Sequence, residues 1–386
     1  MNDLTLIRKN LFRKKLRAIL LTLSILIAFL IFGVLGAFYK VWNSGAELAA
    51  DNRLVTVNRI NFTVTMPYAY WGRIQAVEGV EAASFANWFG GYYQEPTRQV
   101  QTFAVDPESY LDVYPELVFE PEQRAAFIAN RTCLAVGRDI ADFYGWSLGD
   151  RIPLLSNIWQ KSDGSASWEF DICAVFDGRE DYPANYAMFH YEYYNEDLAF
   201  NQDQIGWIVI QTQSADLNAS VADAIDTMFA NSPAETETST EAAFSEGFAN
   251  QFGNIALILL FVVGSAFSTI LIIVGFTMVT AINERTGEIA VMKTLGFPAP
   301  RIFRMVLSES VMLSLVGGLL GLGLAWGMVT LIAAAPGVSA FLPGLSMPQN
   351  VFIGGIALAI LLGLLTGIIP AINAQRVKIV TALGKQ

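Results

Sequence analysis

The sequence predicts an α-helical membrane domain with four transmembrane helices plus a large α+β extracytoplasmic domain inserted between the first and second helices. Three observations carry this expectation. Apolar residues make up 53% of the 386 and charged residues only 15%, against about 25% charged in an ordinary globular domain. Mean hydropathy is +0.42 while net charge is −11, so apolarity and charge must occupy separate segments. The apolar excess falls in four runs, each long enough for a hydrocarbon core of about 30 Å. Such a composition excludes a disordered chain, a basic nucleic-acid binder and a small disulfide-stapled secreted domain.

Residues 18–39 carry no charge and as a helix would reach about 33 Å. The basic cluster before them resembles the n-region of a signal peptide. The apolar run exceeds the usual h-region and no A-x-A-like site follows, so an uncleaved anchor is expected, spanning 18–40. Further spans are expected at 255–282, 305–335 and 351–372, which places both termini on one side. Lys and Arg number seven in 1–40, four in 283–304 and three in 373–386, whereas 41–254 holds 10 basic and 31 acidic residues. Basic short segments stay in the cytoplasm. The N-terminal segment 1–17, the loop 283–304 and the tail 373–386 are therefore expected there, with 41–254 extracytoplasmic and 336–350 a short outer loop.

Within 41–254, residues 53–65 and 98–105 alternate as strands do, and 132–136 is a short apolar run. Helical spacing marks 68–77 and 220–229, and 137–145 reads as a short helix closed by Gly145. A turn at 148–150, the apolar stretch 152–155 and the polar turn 161–167 lead to 168–176, which alternates again and suggests a hairpin partner. Residues 231–246, rich in Ser, Thr and Glu, read as a linker turning helical toward the second span. Phe244, Phe248 and Phe252 fall on one helical face there and are the candidate transmission stalk. The cluster Trp88, Phe89, Tyr92, Tyr93 and the tyrosine-rich stretch from Tyr182 to Tyr194 are expected in sheet packing. Cys133 and Cys173 lie where a disulfide is permitted, but their spacing fixes no geometry, and two buried thiols are the favoured expectation.

No catalytic constellation appears. His190 is the only histidine, so H-E-x-x-H and other two-histidine metal sites are excluded, and no G-x-S-x-G or P-loop motif occurs. No metal or cofactor site is expected on this chain. The spans are almost free of charge, which gives little support to a midplane transport site. Glu309, near the cytoplasmic start of the third span, is expected to pair with Arg301 or Arg304. Gly317 with Gly321, Gly323 with Gly327, and Gly363 with Gly367 form small-xxx-small pairs that permit close helix contact, within the chain or between copies.

The loop after the second span is the most informative segment. It reads Ala281-Ile-Asn-Glu-Arg-Thr-Gly-Glu-Ile-Ala-Val-Met-Lys-Thr-Leu-Gly296, with Glu309-Ser310 downstream. Glu288, Met292 and Leu295 have spacings that share a helical face, followed by a glycine stop and prolines. Acidic residues would be disfavoured on an anionic lipid surface, so a protein partner is expected. This run, at Glu284, Arg285, Glu288, Ile289, Ala290, Val291, Lys293, Leu295 and Gly296, resembles the signature of the MacB/FtsX-like permease family of ABC transporters. The layout of one span, a large outer domain, three spans and a short tail is similar too.

The resemblance implies a bacterial inner (plasma) membrane protein that acts as a mechanotransmitter. Glu284, Arg285, Glu288, Ile289, Met292, Lys293, Leu295 and Gly296 would form a coupling helix seated on an ABC-type ATP-binding subunit. That subunit would bind ATP and Mg and carry the hydrolysis, leaving this chain non-catalytic. MacB itself carries its ATPase on the same chain; this sequence resembles the split members of the family. A second permease copy or a related permease, a periplasmic adaptor and membrane lipid are the other implied partners, and nucleic acid is not. Export or extraction of a substrate is the leading expectation. The alternative is an FtsX-like transmembrane signal transmitter that activates an extracellular enzyme or receptor.

Overall fold

The structure, a computed structural model, describes residues 14–179, 182–251, 255–335, 338, 342 and 344–378. The chain divides into two compact units. One comprises Met1–Lys40, Gly253–Ile332 and Leu345–Gln386, the other Val41–Phe252 and Ala333–Gly344.

Helix α1 (Lys15–Glu47) leads into the second, outer unit. Its strands are β1 (Arg53–Asn58), β2 (Met66–Pro67), β3 (Val80–Trp88), β4 (Gly91–Tyr92), β5 (Gln99–Val100), β6 (Thr102–Val105) and β7 (Leu117–Val118). Then come β8 (Cys133–Gly137), β9 (Arg151–Ser156), β10 (Ser167–Gly178), β11 (Ala187–His190), β12 (Gln204–Ile205), β13 (Trp207–Thr212) and β14 (Thr236–Thr240). The helices among them are α2 (Ala69–Gln75), α3 (Pro107–Val113), α4 (Pro121–Ala129), α5 (Arg138–Tyr144), α6 (Tyr191–Asp197), α7 (Asn218–Met228) and α8 (Glu241–Gln251).

One mixed sheet runs β14-β1-β13-β3-β6-β11-β8-β10-β9-β4-β5, with β7 on β10 and a separate β12–β2 pair. The β8–β10 and β6–β11 pairs are parallel, and all five residues of β8 are buried, as a strand covered on both faces must be. Tyr70 of α2, Ile140 of α5 and Ile225 of α7 cover one face against Phe85, Leu134 and Phe170. Tyr110 of α3 and Phe127 of α4 cover the other against Ala135, Phe176 and Met188. The tyrosine-rich stretch is divided between these two cores, with Tyr186, Tyr191 and Tyr194 all buried.

Three sequence expectations need correction here. Residues 53–65 do not continue as one strand. The Asn58 side chain accepts from Ile60 N and that of Asn61 from Thr63 N, two local turns that take over after Asn58. Residues 231–246 do turn helical, α8 beginning at Glu241, but they are not a linker before that: Thr236–Thr240 pairs antiparallel with β1, from Asn58↔Thr236 to Leu54↔Thr240. The Asp226 carboxylate accepts from Thr236 Oγ1, Thr238 N and Thr238 Oγ1, which supplies polar partners to a strand with no apolar alternation. Finally, Cys133 and Cys173 are joined as a disulfide rather than held as two thiols, with Cα atoms 5.4 Å apart. The pairing of β8 with β10 slips between Ile172 and Ala174, so Cys173 is the extra residue of a bulge beside Cys133's strand. The same bulge reverses the facing of β10, sending Trp168, Phe170 and Ile172 to one core and Ala174 and Phe176 to the other.

The membrane unit adds α9 (Ile255–Glu284), α10 (Thr286–Thr294), α11 (Ala299–Ala333) and α12 (Gln349–Arg376). Among the described residues, α1, α9, α11 and α12 are long and apolar enough to cross a membrane. Ile25, Phe29, Val274, Leu313, Leu322 and Leu362 form their shared core. The glycine pairs divide by environment. A Cβ on Gly317 would lie 2.7 Å from Ile25 Cγ2, and one on Gly321 would strike Leu26 O and come within 2.8 Å of Phe29 Cβ. Gly363 and Gly367 face Val311 and Ser310 in the same way, whereas nothing lies within 4 Å of Gly323 or Gly327. Two of the three pairs therefore serve packing inside the chain. We expect Gly321→Ala to cost about 1–3 kcal/mol through overpacking against α1 backbone, and Gly323→Ala to cost nothing. Thermal unfolding of the purified full chain in detergent reads the difference.

Candidate coupling surface

Helix α10 begins where α9 stops. Arg285, between them, leaves helical geometry (φ −103°, ψ 12°), and its guanidinium reaches Glu309 on α11 at 3.3 and 3.4 Å. Glu309 is 7% exposed, so this pair joins the loop to the interior of the third span. The expected partners Arg301 and Arg304 lie on Glu309's own helix; Arg285 comes from the preceding turn of chain and meets it across α9 and α11. Arg301 instead lies over the Phe297 ring at 4.9 Å. Glu284 turns to the first span, accepting from Lys14 Nζ at 2.7 Å and from Arg17 at 2.9 and 3.1 Å.

The far end of α10 is fixed with equal definition. Lys293 Nζ donates to the carbonyls of Gln375 and Val377, both at 2.7 Å. Gly296, at φ +87°, closes the helix: its N–H reaches Lys293 O and that of Phe297 reaches Met292 O. This pairing is a Schellman cap, which favours glycine at the left-handed position. Ile289 is buried beside Ile302, Val306 and Ala371, with Met292 and Phe297 packed on the same cluster, and Ala290 is fully buried.

The outward stripe that remains is Gly287, Glu288, Val291, Thr294 and Leu295. Leu295 is 73% and Val291 47% exposed, and the Glu288 carboxylate lies 3.8 Å from Arg285. Of the eight coupling residues expected from sequence, Glu288 and Leu295 lie on this stripe. Glu284, Arg285, Ile289, Met292 and Lys293 anchor the helix, and Gly296 ends it. Val291 was missed because the spacing 288–292–295 is as helical as 288–291–295. Lys14, Arg17 and Glu309 complete the anchoring. A cavity of about 210 Å³ opens between them, lined by Lys14, Arg17, Glu284, Arg285, Glu288 and Glu309.

In the outer unit, Phe62 receives Phe248 at 5.2 Å and Phe244 at 6.5 Å between ring centroids, both edge-on. The third stalk candidate, Phe252, lies outside the described residues. In the same unit, Arg53 at the head of β1 is 2% exposed. Its guanidinium donates to Glu116 at 2.7 Å and to Glu241, the first residue of α8, at 3.0 Å. It lies 4.4 Å over the Tyr114 ring, whose hydroxyl donates to Glu241 at 3.1 Å. Burial opposes the Arg53 charge, but Glu241, Tyr114 and Glu116 hold its pKa above the ordinary value. Burial pushes Glu241 up, against the pull of Arg53 and Tyr114.

His190, the lone histidine, is 8% exposed, and its Nε2 donates to the Phe127 carbonyl at 2.6 Å. Burial lowers its pKa, outweighing that carbonyl and the Asp106 and Glu192 carboxylates; Arg131 acts in the same direction as burial. The unfolded chain thus takes up the imidazole proton at higher pH than the folded one. His190's share of stability is complete above pH ~6.5 and is lost as pH falls from there toward the lowered folded value. We expect His190→Gln to flatten the fall in unfolding temperature between pH 7.5 and 5.5, read by melts of both proteins across that range.

Residues 256–379 match the family model described as FtsX-like permease C-terminal. The ABC transporter permease YknZ of Bacillus subtilis (strain 168) is 30% identical over 189 residues, covering 48% of this chain and 46% of that protein. The pyoverdine export ATP-binding/permease protein PvdT of Pseudomonas syringae pv. syringae (strain B728a) is 35% identical over 144 residues, 37% of this chain and 20% of that one. The chain thus spans less than half the length of these relatives. Among solved structures, the periplasmic region of MacB from Actinobacillus actinomycetemcomitans aligns over 52% of this chain and 94% of that chain, with 9% identity and a TM-score of 0.38. The segment matched by the FtsX-like permease model carries the last three of the four membrane-length helices among the described residues.

Proposed function

We propose that this chain is the membrane subunit of an ABC transporter whose ATPase is a separate chain, and that it conveys the ATPase's motion to the outer unit for export or extraction of a substrate. The observation that carries the reading is the stripe of Glu288, Val291 and Leu295. These side chains project from a helix otherwise fixed to the first and third spans and to the tail by Glu284, Arg285 and Lys293. A leucine at 73% exposure beside a carboxylate suits a protein groove better than either water or an anionic headgroup. A push on that stripe would pass through Arg285–Glu309 and Glu284–Arg17 into two spans at once.

ATP and Mg are expected on the partner ATPase. The basic N-terminal segment, loop and tail assign this surface to the cytoplasm. The second span is the least enclosed, with 11% of its apolar window buried against 33% for each of the others. That suits a second permease copy seated along it. The stalk of Phe244 and Phe248 precedes this span in the chain, which supports it as the element carrying motion outward. In the signal-transmitter reading the same coupling surface is used, and only the outer partner differs. Co-expression with the encoded ATP-binding subunit and an ATPase assay with Glu288→Lys test the proposal.

A further inference from the structure

The outer unit holds a cavity of about 230 Å³ that the coupling mechanism does not use. Its aromatic wall is made by Tyr68 and Tyr191, stacked 5.6 Å apart at 10°, with Phe85 edge-on to both at 5.3 and 5.0 Å. Its charged lining consists of the carboxylates of Asp106, Glu108 and Glu192 and one cation, Arg131. Arg131 is already engaged, by Glu196 at 2.7 Å and Glu192 at 3.3 Å. Asp106 accepts from Ser109 N at 3.1 Å and Oγ at 2.6 Å through one oxygen. Negative charge is therefore in surplus.

An acidic cluster alone would mean little. The second observation is His190, 8% exposed and also part of this lining. A carbonyl oxygen can only accept, so the Nε2 facing Phe127 O carries the hydrogen, and Nδ1 holds a lone pair that can only accept. Among the described residues Nδ1 has no protein hydrogen-bond partner, and its residue belongs to the cavity lining. An acceptor-only imidazole edge, carboxylates and aromatic faces all call for a cation that carries hydrogen-bond donors. An anion would meet the carboxylates, and an apolar occupant would strip water from them without replacement.

We propose that this cavity binds a primary alkylammonium group, its NH3+ shared by His190 Nδ1 and the carboxylates, its alkyl arm against Tyr68 and Tyr191. The arm could belong to a free diamine or to a lysine side chain of a peptide. Binding here needs neither ATP nor an ATPase, so it stands apart from the coupling proposal. Saturation-transfer NMR on the full chain in detergent, titrated with 1,5-diaminopentane and with Nα-acetyl-lysine amide, tests it. Saturable binding in about the millimolar range is expected for so small a ligand, lost for the Nε-acetylated form. Glu108→Gln/Glu192→Gln, two exposed positions at which folding should be unaffected, should weaken binding at least about fivefold. Preference for the diamine identifies a free polyamine ligand, preference for the lysine amide a peptide side chain, and parity recognition of the ammonium alone. No saturation, equal binding of the acetylated form, or an unaffected double variant overturns the proposal.

Discussion

Replacing Arg53 by methionine is expected to destabilise the outer unit by about 3–5 kcal/mol, the usual cost of removing one partner of a buried ion pair. The reason lies in what remains. Glu241 has 13% and Glu116 24% of its side chain exposed, and each would keep a carboxylate in a site built around a guanidinium. The double variant Arg53→Met/Glu241→Gln removes one of the stranded charges and should recover part of the loss. Arg53 opens the strand that follows the first span, and Glu241 opens the helix that precedes the second, so the pair joins the outer unit's two routes to the membrane. Denaturant unfolding of the full chain, followed by tryptophan fluorescence, measures the cost. A change below about 0.5 kcal/mol for Arg53→Met would mean the cluster is not what holds these segments together.

The second large effect concerns coupling. Glu288→Lys, and separately Leu295→Asp, should abolish stimulation of the partner ATPase while leaving the unfolding of this chain nearly unchanged. Both side chains are exposed, and although the Glu288 carboxylate lies 3.8 Å from Arg285, exposed i,i+3 pairs are worth only about 0.2–0.5 kcal/mol. Ile289→Asp is the contrasting case. Ile289 is 3% exposed among Ile302, Val306 and Ala371, so its loss should unfold the loop itself and destroy coupling and stability together. Coupling that fails with stability intact at Glu288 and Leu295, and only with stability lost at Ile289, is the signature of a docking stripe.

The membrane layout was legible because long uncharged runs and clustered basic residues are local features that no distant contact can disguise. The short helix of the loop after the second span was legible for the same reason, yet its outward face was not. A nine-residue helix between two spans shows apolar residues on both sides, and only the packing of Ile289 and Ala290 reveals which side is covered. The anchors Lys14 and Arg17 were hidden by distance along the chain, Arg17 meeting Glu284 across 267 residues, whereas Glu309 was expected to be paired, but with Arg301 or Arg304 rather than Arg285. In the outer unit, β14 escaped because Thr-Glu-Thr-Ser-Thr carries no hydrophobic alternation. Its strand character comes from β1 beside it and from the Asp226 carboxylate. The disulfide escaped because it depends on a bulge that places Cys173 next to the strand of Cys133, and forty residues of spacing cannot express that.

The most direct measurement is co-expression of this chain with its nearest encoded ATP-binding subunit, purification in detergent, and ATPase assay of the wild type beside Glu288→Lys. The expected result is a stable complex whose hydrolysis exceeds that of the isolated ATPase and falls to the isolated level with Glu288→Lys. A chain that purifies alone and leaves hydrolysis unchanged, or a complex indifferent to Glu288→Lys, would contradict the assignment of Glu288, Val291 and Leu295 as the coupling surface.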